Sequence, residues 1–357
     1  PPFDRAQMDG YAVRSIDVLE IPVTLKVVGE AVAGQSWKGV LGSGEAVRIM
    51  TGAPVPAGAD AVQQVEVTRE IAGGLVEINK AVSAGQSIVE RASEVKVGTK
   101  VLQAGHPISP SHLAVLASFG YASVRVGRRP RVFVIATGSE LVQVSETPGP
   151  DQIRDSNSFS LSAYAKIVGA TVERTPIAGD NLETLKTQIA AAAAHADALI
   201  LSGGVSMGVY DFTKTALKEL GAEIFFERVA LKPGKPTVFA RLGETLIFGL
   251  PGNPVSVAVT FNLFARTALL AMQRSRDALL SEETAVLARG VKGAAERASY
   301  LPAQLWTDSQ GRLTAKTLRW GGSSDFVSFA HATALVIVPQ GVSTLDVGAA
   351  VQVVRLP

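Results

Sequence analysis

The chain has 357 residues, of which 47% are hydrophobic and 18% are charged. This length exceeds that of a typical single domain, so we expect two or more domains, and the composition excludes a disordered chain. The net charge is only +2, and no long run of Lys or Arg occurs. These features argue against a nucleic-acid or membrane-surface partner.

Residue types that bind soft metals are scarce in this sequence. It has no cysteine, and its four histidines are scattered along the chain. Neither a thiolate zinc site nor a disulfide framework can therefore be built, and any bound metal must use oxygen ligands. Hard cations such as Mg²⁺, held by carboxylates and a substrate phosphate, are the expected choice.

The longest apolar segment, residues 255 to 272, contains Asn262 and Arg266. We expect it to form a buried helix rather than a membrane span. No signal peptide precedes the first residue, so a cytoplasmic protein is expected. The opening Pro1-Pro2 is not a natural start, and we expect that a further N-terminal segment belongs to the protein.

The N-terminal region has the pattern of a β-rich module. Between residues 21 and 102, short β-branched runs (VTLKVV, AVRIM, AVQQVEV, LVEINKAV) alternate with turns rich in Gly, Pro and Ala, which predicts antiparallel strands. Ser109 and Pro110 then supply an N-cap and a first-turn proline for a helix through about Phe119, closed by Gly120. We assign residues 1–98 to an N-terminal β-rich domain and residues 99–124 to a connecting subdomain.

The middle of the chain alternates strands with helices. Four apolar runs, RVFVIATG, TVERTPIAG, ADALILSGG and TLIFGLPG, are each followed by a helical stretch, which predicts βαβ units. Residues 125–278 are therefore expected to form a doubly wound α/β domain with a parallel or mixed sheet. Strand-like runs return after residue 282 (TAVLARGV, YLPAQLW, RLTAKTL, ALVIVP, AVQVVRL) and predict a small, barrel-like C-terminal β domain over residues 279–357.

Three strand ends of the central domain carry unusual loops: ATGSEL (136–141), SGGVSMGVYD (202–211) and GLPGNPVS (249–256). A fourth segment, LKPGKPT (231–237), holds Lys232 and Lys235 around a glycine turn between prolines. Ligands of open α/β sheets bind at such strand ends, where helix N-termini attract anions. Each loop alone has an alternative reading as a tight turn with a helix cap such as Asp211. Together the loops predict an anion site.

The segment from Gly204 to Gly208 also matches the G-x-S-x-G pattern of a nucleophile elbow, with Ser206 at its centre and His331 later in the chain. An elbow serine joins a strand directly to a helix, whereas the helix predicted here begins only at about Asp211. No His-Gly-Gly oxyanion loop is present either, so the serine hydrolase alternative is weak. Neither G-x-G-x-x-G nor a Walker phosphate loop occurs, which leaves ordinary dinucleotide or P-loop chemistry unsupported.

Five motifs resemble the molybdopterin molybdenumtransferase family, to which the enzymatic C-terminal part of gephyrin is related. In chain order they are FDRAQMDGYAVR, RIMTGAPVPAGADAV, SGGVSMGVYDFTK, KPGKPTVFA and GLPGNPVSVAVTF, and the resemblance covers essentially the whole chain. It implies a four-domain homodimer that receives molybdopterin-AMP from an upstream molybdopterin adenylyltransferase. It also implies binding of molybdate, Mg²⁺-dependent hydrolysis of the phosphoanhydride, and release of AMP and molybdenum cofactor.

The resemblance further implies roles for individual residues. The implied catalytic carboxylates are Asp9, Glu94, Glu140, Asp180 and Asp211, of which Glu140, Asp180 and Asp211 would ligate the metal. The implied residues for binding substrate and anion are Thr51, Gly203, Gly204, Ser206, Arg228, Lys232, Lys235, Pro251, Pro254, Arg297 and Ser323. Molybdate offers only hydrogen-bond acceptors, so Lys, Arg and hydroxyl donors suit it. Glu94 and Arg228 stand where the family commonly has Asp and Lys.

Two alternatives of other classes stay open. A non-catalytic scaffold that binds molybdopterin or molybdate would keep the pocket, but anion binding gains nothing from five carboxylates without a metal. The adenylyltransferase of the preceding step has a fold similar to the central domain. That enzyme lacks the flanking β domains and the MDGYA motif, so the length of this chain argues against it.

Overall fold

The computed structural model describes residues 1–205 and 212–357. The chain separates into two compact units, Pro1–Val101 and Leu102–Pro357. Each unit is built around its own buried apolar residues, as expected for a chain of this length. Two of the predicted site residues, Ser206 and Asp211, lie outside the described residues.

The first unit is a β-rich domain. Its strands are β1 (Arg5–Ala6), β2 (Gly10–Val13), β3 (Val23–Ala31), β4 (Glu45–Ile49), β5 (Ala61–Gln64), β6 (Thr68–Ile71), β7 (Leu75–Ile78) and β8 (Ile88–Val89). Six of them form one sheet in the order β5-β2-β4-β3-β7-β6, while β1 pairs with β8. Neighbouring residues of β2 face opposite sides of the sheet. Tyr11 joins one buried apolar cluster and Ala12 the other, so apolar residues cover both faces.

The prediction of antiparallel strands in this unit is wrong for one pair. Strands β3 and β4 run parallel, whereas β2–β4, β2–β5, β3–β7 and β6–β7 are antiparallel. The cause is the connection over residues 32–44, which is long enough to return the chain to the end of the sheet where β3 began.

The helix predicted after Ser109 is confirmed as α1 (Pro110–Ser118). The Ser109 side chain accepts a hydrogen bond from the His112 amide at 3.3 Å, and Pro110 occupies the first turn, where a missing N–H costs nothing. Gly120 ends the helix with a φ of 78°.

The second unit contains the predicted doubly wound domain. Its elements are β9 (Arg131–Ala136), β10 (Leu141–Val142), β11 (Ile153–Arg154), α2 (Asn157–Ile167), β12 (Thr171–Arg174), α3 (Leu182–Ala193), β13 (Ala198–Ser202), α4 (Phe212–Glu219), β14 (Glu223–Phe226), β15 (Leu231–Lys232), β16 (Val238–Leu242), β17 (Thr245–Leu250), α5 (Pro254–Thr260) and α6 (Arg266–Met272). The six-stranded sheet has the order β12-β9-β13-β17-β16-β14. Its first four strands are parallel, as the four apolar runs predict, and antiparallel β16 makes the sheet mixed.

Helices cover both faces of this sheet. In β13, Leu199 and Leu201 belong to the buried cluster that contains residues of α3 and α4, whereas Ile200 belongs to the cluster that contains residues of α2, α5 and α6. A strand buried on both faces needs an apolar residue at every position, which explains the unbroken run ALIL.

Residues Pro254–Met272 form one continuous helix, in which a π-helical turn, Phe261–Ala265, separates α5 from α6. By length and by a hydropathy of 1.6 this helix would suffice to cross a membrane, but 56% of its apolar window is buried inside the protein. Phe261, Ala265 and Leu269 pack into the core against the sheet. It therefore serves as a core helix, in agreement with the sequence prediction.

The C-terminal domain of the second unit contains β18 (Glu282–Leu287), β19 (Val291–Lys292), β20 (Ala298–Thr307), β21 (Leu313–Thr317), α7 (Phe326–Phe329), β22 (Ala334–Val338), β23 (Thr344–Leu345) and β24 (Ala350–Arg355). Five strands close into a barrel in the order β20-β21-β18-β24-β22, because β22 also pairs with β20. Strand β15 of the preceding domain lies parallel to β20. This pairing places the KPGKP segment beside the barrel.

Candidate functional site

The carboxyl ends of β9, β13 and β17 lie side by side. Ala136, Ser202 and Leu250 are aligned across the three strands. The three loops singled out in the sequence begin there, so they leave the sheet at one edge, as predicted. In open α/β sheets this edge is where ligands bind.

Backbone contacts hold the first residues of these loops together. The Thr137 amide donates to the Ser202 carbonyl at 2.9 Å, and the Gly203 amide donates to the Leu250 carbonyl at 3.1 Å. Gly203 has a φ of 97°, and a Cβ atom at this position would lie 2.4 Å from the Thr137 carbonyl oxygen. Because any side chain would clash there, only glycine permits this approach of the loops.

Two of the predicted carboxylates lie on adjacent loops. The Asp180 carboxylate accepts from the Ser139 amide at 3.2 Å, and the Ser139 hydroxyl accepts from the Asp180 amide at 3.1 Å. These reciprocal bonds join the loop after β9 to the loop before α3. Glu140 folds back over Gly138, since a Cβ atom on Gly138 would lie 2.5 Å from its carboxylate. Both acids are exposed to solvent.

The predicted metal ligands are not complete within the described residues. Among residues 1–205 and 212–357, no group of three or more His, Asp or Glu side chains is arranged to hold a metal. The third predicted ligand, Asp211, lies outside these ranges. Glu140 and Asp180 nevertheless fit Mg²⁺, because this ion often takes only one or two protein carboxylates and completes its shell with water and substrate phosphate.

Five of the eleven predicted anion-binding residues line one cleft in the second unit, which we call the proline cleft. It is open to solvent and has a volume of about 610 Å³. Its lining is Lys232, Pro233, Gly234, Lys235, Pro236, Pro251, Asn253, Ser256, Arg297, Trp320, Gly321, Gly322 and Ser323. This described lining carries three cations and no carboxylate, so it favours an anion.

The lysine turn of the proline cleft is held by its backbone. The Val229 amide donates to the Lys235 carbonyl at 3.0 Å, and the Thr237 hydroxyl donates to the Gly234 carbonyl at 2.7 Å. Gly234 has a φ of 116°, and a Cβ atom there would lie 2.4 Å from the Thr260 methyl group. The turn therefore packs directly against α5, which fixes where the two lysines leave the backbone.

The other wall of the proline cleft is the GGSS segment, residues 321–324. The Asn253 side-chain amide donates to the Ser323 hydroxyl at 2.9 Å, and the Val255 amide donates to the Ser323 carbonyl at 3.0 Å. The Asp325 carboxylate accepts from the Gly321 amide at 2.8 Å and from the Ser328 amide at 3.0 Å. These hydrogen bonds, led by that of Gly321, lower the pKa of Asp325 below its ordinary value.

Three further residues of the predicted set have other positions. Arg228 is exposed and is not among the described residues that line the proline cleft. Pro254 is the first residue of α5, where its fixed φ favours the start of a helix. Gly204 follows Gly203, with a φ of 62°. Sequence reasoning missed Asn253 and Trp320, although both lie inside or beside motifs that it singled out.

The predicted residues of the first unit form a separate arrangement. One oxygen of the Asp9 carboxylate accepts from both the amide and the hydroxyl of Thr51, each at 2.7 Å. These two hydrogen bonds lower the pKa of Asp9, and the charge of Arg48 adds to the effect. Glu94 instead pairs with Arg5 at 3.2 Å and is largely exposed. Asp9 is thus an ionised carboxylate held in a fixed direction.

Known proteins share this architecture. Three family models match the chain: the MoeA N-terminal region (domain I and II) over residues 1–120, a probable molybdopterin binding domain over residues 133–271, and the MoeA C-terminal region (domain IV) over residues 284–356. The molybdopterin molybdenumtransferase of Bacillus subtilis is 35% identical, with 100% of this chain and 84% of that protein aligned. That of Haemophilus influenzae is 33% identical, over 99% of this chain and 87% of that protein.

Solved structures agree with the sequence comparisons. Two structures of the molybdopterin biosynthesis MoeA protein of Pyrococcus horikoshii match with TM-scores of 0.82 and 0.83, at 34% and 26% identity. They cover 99% and 100% of this chain and 88% of each of those chains. The chain therefore belongs to the molybdopterin molybdenumtransferase family and is a transferase of molybdenum cofactor biosynthesis.

Proposed function

We propose that this transferase inserts molybdenum into adenylated molybdopterin. In this reaction the protein binds molybdopterin-AMP and molybdate, the phosphoanhydride is hydrolysed with Mg²⁺, and AMP and molybdenum cofactor are released. The observation that carries the proposal is the proline cleft, which adjoins the ligand edge of the sheet and whose described lining residues include three cations and no carboxylate.

The proline cleft suits molybdate, which is a tetrahedral dianion with only acceptor oxygens. Lys232, Lys235 and Arg297 supply charged donors, and Ser323 supplies a hydroxyl. Prolines and the packing of Gly234 on α5 fix the backbone of the two lysines, and a hydrogen bond from Asn253 holds the Ser323 hydroxyl. Because this backbone is already fixed, only the side chains lose conformational entropy when the anion binds.

Glu140 and Asp180 suit the metal-dependent part of the reaction. We propose that they hold Mg²⁺ together with Asp211 and substrate phosphate oxygens, and that the ion offsets the negative charge that builds up on the phosphoanhydride. Ser139 orients Asp180 through their two reciprocal hydrogen bonds. Because Gly203 has no side chain, we propose that its backbone can approach a phosphate group closely.

The GLPGNP turn connects the two parts of the proposed site. Pro251 and Asn253 line the proline cleft, while the neighbouring Gly252 would place a Cβ atom 3.8 Å from Gly203. One turn thus borders both the proline cleft and the loop that begins at Gly203. We propose that molybdopterin-AMP lies across this turn, with its phosphoanhydride toward Gly203. For the first unit, we propose that the ionised Asp9, held by Thr51, contributes to catalysis together with Glu94.

Assembly and location are further proposals drawn from the family. We propose a homodimer in the cytoplasm that receives its substrate from a molybdopterin adenylyltransferase. Light scattering of the purified protein at micromolar concentration tests the dimer, and a monomer mass at every concentration would contradict it.

The function is tested by incubating the purified protein with molybdopterin-AMP, molybdate and Mg²⁺ and measuring AMP. We expect AMP release that depends on molybdate, stops with a chelator and returns when Mg²⁺ is added in excess. The control reaction omits molybdate. Tight binding of molybdopterin-AMP without AMP release under any of these conditions would instead identify a non-catalytic scaffold.

A further inference from the structure

Asn157 contacts two loops of the proposed site. It is the first residue of α2. Its side-chain amide nitrogen donates to the Ser202 hydroxyl at 2.9 Å and to the Gly252 carbonyl at 2.7 Å. One side chain therefore joins the end of β13 to the GLPGNP turn, which are 45 and 95 residues away along the chain.

The backbone around Asn157 is held in place independently. Asp155 is buried, and its carboxylate accepts from the Ser158 amide at 3.0 Å and from the Ser158 hydroxyl. The Asp155 amide donates to the Val142 carbonyl at 3.0 Å. These bonds hold the first turn of α2, whereas the Asn157 side-chain nitrogen donates to two groups outside the helix. Helix formation thus does not require an amide side chain at this position.

The two groups that Asn157 joins belong to different parts of the proposed site. Ser202 precedes the Gly203 loop, which we assign to phosphate. Gly252 lies between Pro251 and Asn253, which line the proline cleft that we assign to molybdate. Any change in the distance between these two loops would move the molybdate donors relative to the phosphoanhydride.

The Asn157 side chain is not placed for stability alone. Its carbonyl oxygen is buried and has no hydrogen-bond partner among the described residues. A buried acceptor without a donor costs free energy. This unfavourable free energy occurs at a residue whose side-chain nitrogen bridges two loops of the site.

We propose that Asn157 is a positioning residue for the transfer reaction. Its amide nitrogen fixes the Gly203 loop and the GLPGNP turn at the separation that molybdenum transfer to molybdopterin-AMP requires. The inference rests on the proposed function, because it assigns the two loops to the two substrates. Asn157 acts through these loops and touches neither reacting group.

The test compares Asn157→Asp with Ser158→Ala. Asn157→Asp keeps the shape of the side chain and the start of the helix, but it replaces the N–H donors with a carboxylate that the Gly252 carbonyl oxygen repels. Ser158→Ala removes a buried hydrogen bond from the same helical turn and leaves both loop contacts in place. We expect Asn157→Asp to lower kcat about 30-fold while the KM values change less than about threefold, because misplaced reactants lose rate rather than affinity. Ser158→Ala should retain kcat within about twofold.

Amide hydrogen exchange supplies a readout that needs no turnover. We expect faster exchange in residues 203–205 and 252–253 of Asn157→Asp, and unchanged exchange there in Ser158→Ala. If the wild-type protein turns over, two results would overturn the inference but not the proposed function. One is an unchanged kcat in Asn157→Asp, and the other is an equal loss of kcat in both variants. Absence of turnover in the wild-type protein would overturn the proposed function and the inference with it.

Discussion

The second unit carries two clefts that resemble each other in charge and differ in construction. The proline cleft has Lys232, Lys235 and Arg297 in its lining, within about 610 Å³. A second cleft, which we call the barrel cleft, has about 640 Å³ and is lined by Ala288, Arg289, Gln304, Lys316, Thr317, Leu318 and Arg319. Each described lining contains three cations and no carboxylate.

The difference lies in what holds the cations. In the barrel cleft, Lys316 extends from the regular strand β21, directly opposite Gln304 of β20, and both side chains are exposed. The two lysines of the proline cleft are exposed too, but their turn contains two prolines and a glycine packed on α5, and the facing Ser323 is held by a hydrogen bond from Asn253. Long cationic side chains on an open strand lose rotamer entropy when they bind an anion. Charge alone therefore does not distinguish a binding site from a solvated face.

Removing two cations from each cleft gives the largest expected difference. The double substitution Lys232→Ala and Lys235→Ala should lower kcat/KM for molybdate-dependent AMP release about a thousandfold, because each charge-assisted hydrogen bond contributes about 1.5–3 kcal/mol. The matched double substitution in the barrel cleft, Lys316→Ala and Arg319→Ala, should change kcat/KM by less than about twofold. Equal losses in the two variants would mean that net charge, rather than donor geometry, determines activity.

Backbone construction is tested by two glycines of the proline cleft. Gly234 and Gly322 have nearly equal φ values, 116° and 114°, but only Gly234 is packed, since Gly322 has open space where a Cβ atom would lie. Gly234→Ala should lower the free energy of unfolding by about 2–6 kcal/mol, the sum of backbone strain and a steric clash with Thr260. Gly322→Ala adds only the strain, about 1–3 kcal/mol.

Urea denaturation of both variants measures this difference. The loss of free energy of unfolding in Gly234→Ala beyond that in Gly322→Ala measures how firmly the lysine turn is packed on α5. If the two variants lose the same free energy of unfolding, the lysine turn moves away from Thr260 with no loss of stability. The proposed rigidity of the proline cleft is then wrong.

Much of this architecture can be predicted from the sequence, because it depends on local patterns. The apolar runs in β9, β12, β13 and β17 identify the parallel strands, and the glycines and prolines after them identify the loops at the ligand edge. Parallel strands place their carboxyl ends together whatever their order in the sheet. The two lysines of KPGKP are predicted as an anion clamp from the sequence, and the family resemblance implies the same role for Ser323; both segments line one cleft.

What the sequence does not reveal depends on contacts between distant segments. The parallel pairing of β3 with β4 follows from the path of the connection between them, which has no periodic pattern. The role of Asn157 depends on partners 45 and 95 residues away. Trp320 lines the proline cleft and Arg319 the barrel cleft, although they are neighbours in the chain. No local sequence pattern predicts that these two neighbours line different clefts.

The smallest expected effect concerns Asp325, which holds the GGSS wall of the proline cleft. One of its oxygens accepts from the Gly321 amide and the other from the Ser328 amide, so Asp325→Asn replaces one acceptor with a donor. We expect the KM for molybdate to rise about threefold at pH 7, since the loop of Ser323 loosens while the cations stay in place. Asp308→Asn is the matched control elsewhere in the C-terminal domain, between β20 and β21. That carboxylate accepts from Gln310 and Arg312, and its loss should leave the KM unchanged.

Acid titration separates the charge of Asp325 from its shape. Hydrogen bonds, that of the Gly321 amide first, lower the pKa of Asp325 from the ordinary value of 3.8, so the folded state favours the ionised form. Its contribution to stability is therefore fully present above pH 3.8 and is lost as the pH falls through the lower pKa of the folded protein. The urea midpoints of wild type and Asp325→Asn should differ by a constant amount at neutral pH and converge in the acid range. A difference that persists unchanged in acid would show that the carboxylate charge does not hold the GGSS wall, and that the geometry of the proline cleft depends on its prolines and glycines alone.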